Sequence, residues 1–257
     1  MKNFALITGA SKGLGKSLAE ELARRKHNLI LASLPQQDLE KFSEELADRY
    51  KVKVKFYETD LTVKKNIIQF CDWINENFKI DILINNAGTG GSEKFSEVST
   101  RYLNKMIQLN VMAPVILTHK LLDNLKSQKK AFILNISSLA ALSPMGYKTV
   151  YPASKAFLQS FSRGLNQELK ETSISVSVVN PAGMRTNQDT SQRIKKQGFF
   201  GKLTARDPDF VARYSIDHLF KKTEVIKVSF LGWLALKLTP LWLSNFILTR
   251  KMKNESQ

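Results

Sequence analysis

The chain has 257 residues, of which 43% are hydrophobic and 9% aromatic. That is enough apolar material for a large buried core, and it excludes a disordered chain. The formal net charge of +16 points to anionic partners. Anionic lipid, phosphorylated small molecules and a plain solvated lysine-rich face all fit it, whereas nucleic acid is disfavoured because no helix-turn-helix, zinc-finger or RNA-binding signature is present.

Cys71 is the only cysteine, so no intrachain disulfide can form, and a reducing, cytoplasmic setting is expected. No metal site is expected.

The first apolar run, residues 4–8, is too short and too soon interrupted for a signal peptide and reads as a strand. It ends in Thr8-Gly9-Ala10-Ser11-Lys12-Gly13-Leu14-Gly15, after which Leu14, Leu18 and Leu22 recur every fourth residue, the spacing of a helix. A second strand is expected over residues 29–33, then a helix carrying Leu39, Phe42 and Leu46. Strands over 52–57 and 80–85 follow, then a helix through Leu103, Met106, Leu109 and Ala113. Residues 131–136 form the next strand. Phe157, Leu158, Phe161, Leu165 and Leu169 mark a helix with one broad apolar face, and strands over 175–179 and 225–230 complete the pattern.

Strands alternating with helices in this way imply a doubly wound α/β fold of the Rossmann type, a parallel sheet covered on both faces. With no internal repeat, low-complexity tract or proline-rich linker, residues 1–257 are expected to form one domain.

The glycine loop lies in the first βα unit, where its three glycines have distinct uses. One makes a tight turn, one lets backbone approach a pyrophosphate, and one permits close helix–strand packing. The helix that follows offers unpaired N–H groups and a partial positive charge to phosphate. Further on, Tyr151 and Lys155 stand four apart and share a helix face. A tyrosine hydroxyl titrates near 10, and an adjacent ammonium brings it toward neutrality, where it can act as a general acid or base.

The spacing T-G-x-x-x-G-x-G, with Asp60-Leu61, Asn85-Asn86-Ala87-Gly88, Asn110, Asn135-Ile136-Ser137-Ser138 and Tyr151-Pro152-Ala153-Ser154-Lys155 in that order, resembles the short-chain dehydrogenase/reductase family over about residues 4–186. The resemblance implies a seven-stranded sheet ordered 3-2-1-4-5-6-7, assembly as dimers or tetramers, and hydride transfer between a nicotinamide and a carbonyl or alcohol. It assigns Tyr151 as the proton donor in reduction and Lys155 as a contact to the nicotinamide ribose. Ser138 binds the substrate oxygen, favoured over Ser137 by its spacing from the tyrosine, and Asn110 supports a water relay to Lys155.

The same resemblance places the cofactor on Gly9, Ser11, Lys12, Gly13, Leu14, Gly15, Ser33, Asp60, Leu61, Asn86, Ala87, Gly88, Pro181, Gly183 and Thr186, besides Tyr151 and Lys155. Two positions depart from the family. Pro152 follows the tyrosine and suits only the first turn of a helix. Pro181-Ala182-Gly183 sets the glycine one place later than usual.

NAD-selective relatives carry an acidic residue after the second strand. Ala32-Ser33-Leu34-Pro35 has none, while Lys12 and Ser33 suit a 2′-phosphate, so NADP is expected over NAD.

In this family the substrate is chosen by a loop, here about residues 186–215, and by the C-terminus. The loop includes a basic and aromatic stretch at 194–201 that reads either as a mobile lid or as an ordinary exposed loop and helix. Residues 228–257 are apolar and basic. They are long enough to raise the question of a membrane span, but Lys237 costs about 2.5–3.5 kcal/mol at a helix centre and Pro240 breaks the segment.

One or two amphipathic helices are expected there instead. They line an acyl tunnel, rest on a membrane surface such as the inner face of a cell membrane, bury against a partner subunit, or pack as ordinary core. Residues 203–208 and this tail resemble a ketoacyl-reductase subgroup, which implies a lipophilic ketone such as a 3-oxoacyl thioester. The competing expectation is a non-catalytic dinucleotide sensor, or a peripheral membrane protein, on the same fold.

Overall fold

The computed structural model describes residues 3–184 and 206–255. Thr186, the stretch 194–201 and most of the expected substrate loop lie outside the described residues.

Seven parallel strands form one sheet in the order β3-β2-β1-β4-β5-β6-β7. They are β1 Phe4–Thr8, β2 Asn28–Ser33, β3 Val54–Glu58, β4 Ile80–Asn85, β5 Ala131–Ile136, β6 Ile174–Val179 and β7 Val225–Ile226. Strand residues alternate between faces. Ala5 and Ile7 join Leu14, Leu18 and Leu22 of α1 (Gly13–Arg24), Leu39 and Leu46 of α2 (Leu39–Tyr50), and Ile216 and Leu219 of α7 (Pro208–Phe220) in one core. Leu6 turns the other way, to Ile67, Phe70 and Ile74 of α3 (Lys64–Asn77) and to Leu117, Leu121 and Leu125 of α5 (Ala113–Lys126). Cys71 is buried in that second core, and burial pushes its thiol up to about 12.

The expected seventh strand, 225–230, is cut to two residues. β7 is an edge strand paired with β6 through Val178↔Val225 and Val179↔Ile226, and the chain turns into a helix at Phe230. The helix expected through Leu103 and Ala113 is interrupted. Between α4 (Thr100–Ile107) and α5 lies one wide π turn, Gln108–Met112, with Asn110 buried in it. Helix α6, Val150–Glu168, begins one residue before Tyr151, so Pro152 sits in the first turn, where its missing N–H costs nothing. Its expected apolar face is only partly realised. Leu158 and Leu169 are buried, but Phe157 is exposed and stacks on Phe161.

A buried polar ladder crosses the middle of the sheet. Asn85 and Asn135 are register partners on β4 and β5, and the Asn85 amide donates to Asn135 Oδ1 at 2.8 Å and to Thr118 Oγ1 at 3.2 Å. Asn135 Nδ2 donates to Ser162 Oγ at 2.8 Å.

The C-terminal segment forms two helices, α8 Phe230–Leu238 and α9 Leu241–Glu255, bent by 120° across Thr239 and Pro240. Among the described residues no single helix is long and apolar enough to cross a membrane.

Candidate active site

The strands end at one edge of the sheet, where the loops after β1, β2, β3, β4, β5 and β6 wall a cleft of about 1050 Å³. In open α/β sheets this is where ligands bind. The cofactor half is built on β1. Gly9 and Gly13 have φ of +66° and +55°, a region that suits glycine. Gly15 has no room for any side chain: a Cβ there would overlap the Gly9 carbonyl and stand 2.6 Å from Asn86 Nδ2.

Asn86 shapes this loop directly. Its amide donates to the Thr8 carbonyl at 2.8 Å and the Gly9 carbonyl at 3.1 Å, while Thr8 Oγ1 accepts from the Asn86 and Ala87 N–H groups. The tie binds the end of β1 to the end of β4, and no local sequence signal marks Thr8 for that role.

Ser11, Lys12, Leu14, Ala87 and Gly88 also line the cleft, as do Ser33, Asp60 and Leu61 at its far end. Lys12 is exposed. Ser33 is buried and its hydroxyl donates to the Leu34 carbonyl at 3.0 Å. Asp60 Oδ1 accepts from the N–H and hydroxyl of Thr62 at 2.9 and 2.8 Å. Pro181 and Gly183 border the cleft after β6. The Pro181 carbonyl accepts from Leu139 N, and the Gly183 carbonyl from Arg206 N. A glycine cradle that a methyl group would fill, a helix N-terminus behind it, an exposed lysine and no carboxylate in Ala32-Ser33-Leu34-Pro35 at the end of β2 suit a dinucleotide, and a 2′-phosphate in particular.

At the other half, Tyr151, Lys155, Ser138 and Asn110 converge. Ser138 caps a short 3₁₀ turn, Leu139–Leu142, by accepting from Ala140 N at 3.1 Å, and its hydroxyl bonds the Tyr151 phenol. Ser137 is committed elsewhere: it is buried and donates to the Lys155 carbonyl at 2.7 Å. Only one of the two serines therefore offers its hydroxyl to the tyrosine.

Lys155 is 5% exposed and has no carboxylate partner among the described residues; its ammonium donates to the Ile136 carbonyl at 2.8 Å, and burial lowers it to about 8. Burial raises Tyr151, and the Ser138 hydrogen bond opposes that rise. The Asn110 amide donates to the Thr89 carbonyl at 2.9 Å and to Ser154 Oγ at 3.0 Å, and its Oδ1 accepts from Thr89 N at 2.9 Å. Ser154 donates in turn to the Tyr151 carbonyl at 2.7 Å. The π turn thus holds both the loop after β4 and the first turn of α6.

Several cleft residues carry no sequence motif. A Cβ on Gly90 would overlap the Tyr151 ring. Lys148 lies with its ammonium 4.9 Å from the centre of that ring. Gly232 and Leu236 of α8, and Ile247, Leu248, Lys251 and Met252 of α9, close the substrate side. The apolar segment alone could have pointed to these last residues, but not to the face each helix uses.

A phenol bonded to a serine, with a buried ammonium beside it and a dinucleotide cradle alongside, defines an oxidoreductase site for carbonyls and alcohols. Comparison with known proteins agrees. Residues 3–197 match the short chain dehydrogenase family. The chain is 32% identical over 237 residues to the very-long-chain 3-oxoacyl-CoA reductase of Anas platyrhynchos, covering 90% of this chain and 74% of that protein.

Among solved structures, the bulky-bulky ketone specific alcohol dehydrogenase from Comamonas testosteroni superposes with a TM-score of 0.79 at 30% identity, over 91% of this chain and 90% of that one. A short-chain dehydrogenase from Sphingobium yanoikuyae in complex with NADPH superposes with a TM-score of 0.80 at 29% identity, over 91% and 92%. The chain belongs to the short-chain dehydrogenase family. It is an NAD(P)-dependent oxidoreductase.

Proposed function

We propose that this protein uses NADPH to reduce the ketone of a long, lipophilic substrate bearing an anionic head, with a 3-oxoacyl thioester as the best fit. The observation that carries the reading is the composition of the cleft wall. Its substrate side is apolar, with Leu236, Ile247, Leu248 and Met252, and it carries Lys105, Lys148 and Lys251. Asp60, at the adenine end, is the one carboxylate among the described lining residues. An apolar channel with cations along it suits an acyl chain joined to phosphates. The relatedness to very-long-chain 3-oxoacyl-CoA reductase supports the same choice.

In this reading the glycine loop and Lys12 hold the dinucleotide, Asp60 and Leu61 meet its adenine, and Asn86, Ala87, Gly88, Pro181 and Gly183 flank the nicotinamide half. Bound nicotinamide supplies the hydride. Ser138 donates to the ketone oxygen and stabilises the negative charge that develops there. Tyr151 delivers its phenolic proton to that oxygen, and the Lys155 ammonium stabilises the phenolate left behind. Asn110 acts by position, holding α6 through Ser154.

The 2′-phosphate falls mainly to Lys12, since the Ser33 proton is already shared with Leu34. The chain works in this reading as one unit, with cofactor and ketone on a single sheet.

The test is oxidation of NADPH and of NADH by the purified protein with 3-oxoacyl thioesters graded by chain length, and with the corresponding neutral ketones. Turnover with NADPH that rises with chain length and with the charged head is expected. Bound NADPH without turnover on any of them, or a preference for short neutral ketones, would overturn it.

A further inference from the structure

The two C-terminal helices have apolar residues on opposite sides. On α9, Ser244, Leu248 and Lys251 fall on one side by helical spacing, and Leu248 and Lys251 line the cleft. On the other side fall Trp242 and Phe246, 72% and 63% exposed, followed on the same stripe by exposed Arg250 and Lys253. On α8, Gly232 and Leu236 line the cleft, while Phe230, Leu231 and Leu238, 57%, 79% and 74% exposed, lie off that stripe and outside the cleft lining. Helix α9 is anchored rather than loose: Gly146 N donates to Thr249 Oγ1 at 2.8 Å, and the Ser143 and Ser244 hydroxyls meet at 2.9 Å. A soluble surface rarely carries this much contiguous large apolar side chain.

We propose that α8 and α9 dock this protein on an anionic phospholipid bilayer and form the wall between that bilayer and the cleft. Charge decides between lipid and a second copy of the chain. From Phe230 to Glu255 there are four cations, Lys237, Arg250, Lys251 and Lys253, against one carboxylate, Glu255. A two-fold contact would bring this face, cationic through Lys237 and Arg250, against an identical cationic face, whereas an anionic headgroup layer neutralises both residues while the leucines and aromatics enter the acyl boundary. The 120° bend at Pro240 leaves two short helices, neither long and apolar enough to cross a membrane alone, which suits docking on a surface. The helices that touch lipid on one side touch the cleft on the other, so an acyl substrate has a short path between them. That last step rests on the reading of a lipophilic ketone; the docking does not.

Sedimentation of the full chain with vesicles tests the docking. Vesicles of phosphatidylcholine with about a quarter phosphatidylglycerol are expected to carry the protein down, and vesicles of phosphatidylcholine alone to carry down much less, with the difference shrinking in high salt. The double variant Trp242→Glu/Phe246→Glu is expected to lose the binding while keeping NADPH affinity and turnover of a short soluble ketone.

No sedimentation of the wild type, or unchanged binding by the variant, overturns the proposal. So does a fall in mass by light scattering in the variant with no vesicle binding by the wild type, which assigns the face to a second copy. If that variant does not fold, Lys237→Glu/Arg250→Glu replaces it, with at least about tenfold weaker binding expected and no change overturning the proposal. Binding is read without turnover, so failure of the substrate reading leaves this result intact.

Discussion

The Lys155 ammonium lies 5.9 Å from the centre of the Tyr151 ring, one helical turn along α6, and donates its hydrogen bond to the Ile136 carbonyl. In the proposed mechanism the lysine acts on the phenol through its charge rather than through a direct bond, and the proton that moves belongs to Tyr151. Replacing Tyr151→Phe removes that proton and little else. Turnover is expected to fall by about 10²- to 10⁴-fold, while NADPH affinity, read by the cofactor's fluorescence, stays near wild type.

The same burial makes the cofactor-free protein sensitive to pH in a defined direction. Lys155 is lowered from its ordinary value to about 8 by desolvation, so below pH 8 the folded state carries a buried charge that the unfolded state solvates. That penalty is relieved as pH rises through 8, because the folded protein gives up the proton while the unfolded chain still holds it. Denaturant unfolding of wild type and Lys155→Met is expected to show the difference between them shifting toward the wild type by about 2 kcal/mol from pH 7.5 to 10. A difference flat with pH would sink the assignment.

Two glycines separate binding from chemistry. Gly15→Ala drives a methyl group into the Gly9 carbonyl and toward Asn86, which should distort the cradle, weaken cofactor binding at least about tenfold and cost about 1–3 kcal/mol of stability. Gly90→Ala meets the Tyr151 ring instead. Cofactor affinity should be kept and kcat should drop about 100-fold, as for a displaced reacting group. Isothermal titration beside steady-state kinetics distinguishes the two.

Lys12 carries the cofactor choice in this reading. Lys12→Ala should raise KM for NADPH about tenfold, the lower range for one exposed charge-assisted contact, and leave KM for NADH nearly unchanged. Equal changes for both cofactors would move the 2′-phosphate to other residues.

Most of the frame was legible because strand and helix periods are local. Short apolar runs located the seven strands, the last of them over more residues than it keeps, and the order 3-2-1-4-5-6-7 came with the family resemblance. What escaped depends on distant partners. The π turn at Asn110 hides behind the helical spacing of Leu103, Met106, Leu109 and Ala113, and only its bonds to Thr89 and Ser154 reveal why the turn is wide. The family spacing to Tyr151 favours Ser138 over Ser137, but the bond that occupies Ser137 instead runs to a carbonyl eighteen residues away. The last helices read as amphipathic with one apolar side, yet they are apolar on both, because one side meets the cleft.

The Asn85–Asn135 pair has a consequence for how the site is assembled. A slip of one residue between β4 and β5 would part the two amides and strand them in hydrocarbon, away from Thr118 and Ser162. The pair works as a key that admits a single register. Because Asn86 leaves β4 and Ser137 leaves β5 just beyond it, the loop that carries Asn86 and Gly88 and the loop that carries Ser138 rise from the sheet at the same height. In the proposed reading the depth at which cofactor and ketone would meet is thus set inside the core, by two side chains outside the cleft lining.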